Sequence, residues 1–118
     1  MRNFDYRALG RLKAGQMNKT EAAYAQHLEV LRHAGKILWY RFEGIKLRLA
    51  DNTFLTVDFA ILNSDQELEM VDVKGRSGKK YFCLDDSKVK LKVAAEQYPF
   101  RFAIAWPIRK GEWMREEL

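Results

Sequence analysis

The sequence predicts an α/β (α+β) layer fold, with a mixed central sheet flanked by helices. Three observations lead there. Apolar residues recur at helical spacing in two separate segments, the stretch between them alternates as strands do, and clusters of turn residues divide the blocks. The expected order is a helix, four strands, a second helix and a final strand in one domain, with a basic arm over 1–17, a core over 18–106 and a tail over 107–118.

The first helix is expected over Asn18–His33. Asn18 is a natural cap, Glu21 three positions on completes a capping-box pattern, and Tyr24, Leu28 and Leu31 follow at helical spacing before Gly35. Three strands follow, at Ile37–Phe42, Ile45–Leu49 and Phe54–Leu62, divided by Glu43-Gly44 and Asp51-Asn52. In the third, Leu55, Val57, Phe59 and Ile61 are expected on one face. The Asn63–Gln66 cluster turns the chain into a fourth strand, Leu68–Lys74, and Gly75-Arg76-Ser77-Gly78 reads as a loop. After Tyr81–Leu84, Asp85 or Asp86 caps a second helix running to Tyr98, with lysines interleaved among Val89, Leu91, Val93 and Ala94. Pro99 stops it, and Phe100–Trp106 is the last strand.

Composition narrows the function. The 118 residues are 47% hydrophobic and 31% charged, a globular balance. Apolar runs such as Ile37–Tyr40 are short, far from the roughly 20 residues that cross a bilayer. Met1–Tyr6 lacks the apolar core of a secretory signal. One cysteine, Cys83, excludes an internal disulfide framework and a cysteine zinc cage. A cytoplasmic, reduced protein is expected. The net charge of +5 is unevenly spread. Residues 1–19 carry five cations against Asp5, and residues 74–92 carry seven against Asp85 and Asp86, so the remainder is acidic. Two basic regions suit a polyanion such as nucleic acid, although lysines also simply solvate loops and helix faces.

The segment that carries chemistry is the expected hairpin over 53–74. It holds Val57-Asp58-Phe59 on one strand and Val71-Asp72-Val73-Lys74 on the next, with Asp72 and Lys74 on one face. A register that sets Asp58 opposite Asp72 puts both carboxylates on that face too; a slip by one residue would separate them. Facing carboxylates repel, and each acid sits in strongly apolar sequence. Lys74 alone would offset them as an ordinary ion pair, or a divalent cation with oxygen ligands, such as Mg2+, would. Glu21 supplies a third acid on the helix face expected to lie against the sheet, with helix capping as its other role.

An acid on the first helix, then Asp58, then Asp72-Val73-Lys74 resembles the PD-(D/E)xK nuclease superfamily, in which this motif sits on a β-hairpin of a restriction-endonuclease-like αβββαβ core. The likeness is nearest to small phage-type endonucleases, including Holliday-junction resolvases. It runs through Asn18-Lys19-Thr20-Glu21, Val57-Asp58-Phe59, Asp72-Val73-Lys74-Gly75 and Glu96-Gln97-Tyr98-Pro99, and covers about residues 18–105. Val57 stands where the superfamily has proline, and Asp72 replaces glutamate, an accepted variant one methylene shorter.

The resemblance implies a Mg2+-dependent (or Mn2+-dependent) endodeoxyribonuclease, selective for branched DNA. Asp58, Asp72, the Val73 carbonyl and Glu21 would serve the metal, and Lys74 would position the attacking water. The products would carry 5′-phosphate and 3′-hydroxyl ends, in the host cytoplasm if the chain is phage-encoded. Arg11, Lys13, Lys19, Arg76, Lys79, Lys80, Lys88 and Lys92 would contact DNA, and two cuts across a branch would call for a homodimer. The alternatives are a nuclease for flap, nicked, single-stranded or linear duplex DNA, and a non-catalytic nucleic-acid-binding module whose acids are only salt-bridge partners. His27 and His33, six apart, do not match a helical metal pair; Cys83 and the three tryptophans read as packing residues.

Overall fold

The computed structural model describes residues 15–78, 80–81 and 85–118. Helix α1 spans Lys19–His33 and starts on the expected capping box: Asn18 accepts from the Glu21 amide, and the Glu21 carboxylate accepts from the Asn18 amide. Strands β1 (Ile37–Phe42), β2 (Lys46–Ala50), β3 (Thr53–Thr56), β4 (Phe59–Asn63) and β5 (Leu68–Val73) follow. A two-residue hairpin, β6 (Arg76–Ser77) and β7 (Lys80–Tyr81), leads to α2 (Asp85–Gln97), β8 (Arg101–Arg109) and β9 (Glu112–Glu117).

The central sheet has five strands in the order β1-β4-β5-β8-β9. Only β5 and β8 run parallel, and α2 forms the crossover that parallel neighbours need. The described residues therefore form an α+β fold with a mixed sheet and two helices. Among the described residues no helix is long and apolar enough to cross a membrane.

Residue parity assigns each side chain to a layer. Phe59, Ile61, Val71, Val73, Ala103 and Ala105 meet Tyr24 and Leu28 of α1 on one face. Ala60, Met70 and Phe102 meet Ala94 of α2 and Leu47 and Leu49 of the separate β2–β3 hairpin on the other. Leu91, Ile104 and Trp106 extend that second layer. Side chains such as Phe59, Phe102 and Leu28 are almost wholly buried, each contributing about 1.5–3 kcal/mol of apolar burial.

Four expectations need correction. The single strand expected over Phe54–Leu62 is two strands, broken at Val57-Asp58. Its first half, β3, pairs with β2, and its second half, β4, lies between β1 and β5. Leu55 and Val57 pack on the α2 side, whereas Phe59 and Ile61 pack on the α1 side, so the chain turns over at Asp58. Alternation alone hid this, because an apolar–polar period reads the same on either face. Second, the last strand runs through Pro107 to Arg109. Third, residues 112–117 of the expected tail form the edge strand β9, paired antiparallel with β8 around a turn at Gly111 (φ 79°). The residues expected as a loop at 75–78 include the short strand β6. Cys83 and most of the expected Tyr81–Leu84 strand lie outside the described residues.

Candidate functional site

The β4–β5 ladder pairs Phe59 with Val71 and Ala60 with Met70, the register that sets Asp58 beside Asp72. Asp58 sits one residue before β4, where its carbonyl accepts from the Glu43 amide at 2.7 Å. Its Oδ2 accepts from the Val73 amide at 2.8 Å, which fixes the carboxylate at the end of β5. Asp72 is buried, and its Oδ2 lies 2.7 Å from Lys74 Nζ. Lys74 Nζ in turn donates to Ser87 Oγ of α2 at 3.2 Å. Thus β4, β5 and α2 each bring one part of the cluster.

The electrostatics are those of a site holding too much negative charge. Burial is the largest cause pushing the Asp58 carboxyl well above the usual carboxylate range, and the adjacent Asp72 charge adds to it. The Val73 N–H opposes the shift; the more distant charge of Glu21 reinforces it. Lys74 offsets one of the two facing acids.

The arrangement defines what this site offers a metal. Among the described residues, no group of three His, Cys, Asp or Glu side chains is placed to hold an ion. Glu21 contributes charge to the region, but its carboxylate caps α1. Asp58 and Asp72 are the pair brought together, and two adjacent carboxyl groups whose ionised forms repel fit Mg2+, which commonly takes one or two protein carboxylates and completes its shell with water and phosphate. Val73 contributes its amide to Asp58.

The expected DNA contacts divide. Arg11, Lys13 and Lys79 lie outside the described residues. Lys19 is exposed at the start of α1, and Lys92 is exposed on α2. Arg76 is used in the fold: its guanidinium donates to the carbonyls of Gly78 and Ile108, fastening the β6–β7 hairpin to β8. Lys80 and Lys88 converge on the carboxylate of Glu116, at 3.3 and 3.6 Å, together with the Tyr81 hydroxyl at 2.7 Å.

Ser87, Tyr81 and Glu116 were not singled out by the sequence. Ser87 follows Asp85-Asp86 at the start of a helix, where a serine ordinarily reads as a capping residue. Glu116 sits in a stretch whose charges masked its strand period. A further buried acid, Glu69, lies on the opposite face of the sheet from Asp72. It accepts from Asn63 Nδ2 at 2.8 Å and pairs with Arg115, which reaches it across the small side chains of Ala103 and Ala105. His27 packs against Tyr24 and Trp113, and His33 pairs with Glu29. Comparison of the chain with protein-family models, curated proteins and solved structures found no match.

Proposed function

We propose that the chain is a metal-dependent endodeoxyribonuclease of the PD-(D/E)xK type, with a restriction-endonuclease-like core, acting on branched DNA. One observation carries the reading: Asp58, Asp72 and Lys74, spaced along the chain as that motif requires, meet at the ends of β4 and β5. The basic residues of α2 and β7 on the same side of the sheet support a polyanionic substrate.

Asp58 and Asp72, with the Val73 carbonyl, would hold the ion. Bound Mg2+ or Mn2+ supplies a polarised phosphate and a more acidic water. The Val73 amide keeps Asp58 oriented beside Asp72. Lys74, held between Asp72 and Ser87, places an ammonium group where it orients the attacking water and stabilises the charge gathering on the pentavalent phosphate. Glu21 holds the start of α1 and extends the negative field towards Asp58. Hydrolysis leaves a 5′-phosphate and a 3′-hydroxyl. Symmetric cutting of a branch needs two such sites, so the working form is a homodimer.

The second reading, a nucleic-acid-binding module without catalysis, is favoured by the closed Lys74–Asp72 ion pair and by the engagement of Glu21 as a cap. Incubation with four-way-junction, flap, nicked, single-stranded and linear duplex DNA separates the two. Products formed with Mg2+ or Mn2+ and suppressed by EDTA support the nuclease, and their pattern identifies the substrate; metal-independent binding with no products supports the module.

A further inference from the structure

Three donors from two elements point at one spot on the α2 side of the sheet: the ammonium groups of Lys80 and Lys88 and the hydroxyl of Tyr81. The Tyr81 ring fixes their positions. It packs on Trp106 with a centroid separation of 5.0 Å, and both lysine ammonium groups lie over it, at 5.4 and 5.2 Å from its centre. The cradle is thus assembled around an aromatic ring rather than around the carboxylate that fills it. That carboxylate belongs to Glu116 of the edge strand β9, whose side chain is 28% exposed.

Two ammonium groups and a phenol are a donor set for a phosphate as much as for a carboxylate. The cluster also lies near the proposed catalytic centre, because Asp72 pairs with Ile104 and Ile104 with Glu116, which puts Glu116 in the same cross-strand row and on the same face as Asp72, two strands away. We propose that Lys80, Tyr81 and Lys88 form a subsite for a nucleic-acid phosphate neighbouring the scissile one, and that Glu116 occupies it in the free protein as an internal competitor. The inference rests on the reading that the chain acts on DNA. Lys80 and Lys88 remain 58% and 31% exposed, so a phosphate can approach. Exposed ion pairs contribute little to stability, so displacing Glu116 costs little. With Glu116 in place the cluster carries one net positive charge; without it, two. The ionised form of Glu116 is favoured foremost by the Tyr81 hydroxyl, which holds its carboxyl below the usual range, so the competitor stays charged at neutral pH.

The test measures binding in EDTA, where cleavage does not intervene, for wild type, Glu116→Gln and the triple variant Glu116→Gln/Lys80→Gln/Lys88→Gln. Glutamine keeps an acceptor for Tyr81 and removes the charge. With a labelled DNA duplex as probe, Glu116→Gln is expected to bind roughly two- to fivefold more tightly than wild type. Its salt dependence should steepen by about one phosphate contact. The triple variant should lose both gains. Inorganic tripolyphosphate, followed by NMR shifts of Tyr81, should show the same rank order. Equal or weaker duplex binding by Glu116→Gln overturns the proposal. A gain for tripolyphosphate without one for duplex overturns the assignment to nucleic acid. A gain for duplex combined with no metal-dependent cleavage by wild type supports the subsite and counts only against the nuclease reading.

Discussion

The backbone amide of Val73 donates to Asp58 Oδ2 at 2.8 Å, although regular pairing between their strands stops at Phe59 and Val71. A main-chain donor of β5 thereby replaces the missing rung of the ladder. It holds one acid beside Asp72 at the point where the chain leaves β3 and enters β4. Such an arrangement keeps two carboxylates together at a cost to the fold, and that cost is measurable.

Asp58→Asn should stabilise the metal-free protein. Because the folded state raises the Asp58 pKa, it retains a proton that the unfolded chain has lost at neutral pH. The wild-type contribution is therefore fully favourable below the ordinary aspartate range, and is lost as pH rises towards the raised value. Thermal unfolding in EDTA should show Asp58→Asn melting about 4–8 °C above wild type at pH 7–8, with the gap closing near pH 4. Mg2+ should raise the wild-type melting temperature and leave the variant unmoved.

Lys74→Met should lower the cleavage rate by about 10²–10³ or more, while DNA affinity in EDTA stays within about threefold of wild type. Single-turnover rates and binding isotherms on one substrate check both halves.

Ser87→Ala removes the hydroxyl that positions Lys74 from α2. Its expected signature is a fall of about tenfold in kcat with KM unchanged, since Ser87 acts through Lys74. A variant that loses affinity instead would place Ser87 on the DNA.

Glu21→Ala should cost about 1 kcal/mol of stability through loss of the capping box, whereas Glu21→Gln, which can still accept from Asn18, should not. Cleavage by Glu21→Gln should fall far less than by Asp58→Ala; equal losses would make Glu21 a direct metal ligand.

Arg115→Leu should destabilise the protein by about 3–5 kcal/mol, because Glu69 would be left buried and unpaired. The double variant Glu69→Leu/Arg115→Leu should recover much of that loss. Chemical denaturation of the three variants measures it.

The two helices and the Asp58–Asp72 register were legible because each depends on local signals: a capping box at Asn18 and Glu21, lysines spaced along α2, and a turn at 63–66 that sets the hairpin. The break at Val57-Asp58 was not, because it depends on which hairpin each half joins, and that is decided by packing against Leu47 and Leu49 on one side and Tyr24 and Leu28 on the other. Strand β9 was hidden for a different reason. Its inward-facing residues Arg115 and Glu116 are satisfied by ion pairs rather than apolar contacts, so its period of two carries charges on both faces. Tertiary pairing also explains why Lys80 and Lys88 read as free DNA contacts in sequence yet share a carboxylate in the fold.

Whether Asp58, Asp72 and Lys74 form a nuclease centre is decided by single-turnover cleavage of an end-labelled four-way junction by wild type, Asp72→Asn and Lys74→Met, each with Mg2+ and with EDTA. Wild type with Mg2+ should give products bearing 5′-phosphate and 3′-hydroxyl ends, and the other five reactions should give none above background. Cleavage by Asp72→Asn or Lys74→Met at the wild-type rate, or no cleavage by wild type of this or any other DNA form with either Mg2+ or Mn2+, would rule out a metal-dependent nuclease centre at these residues.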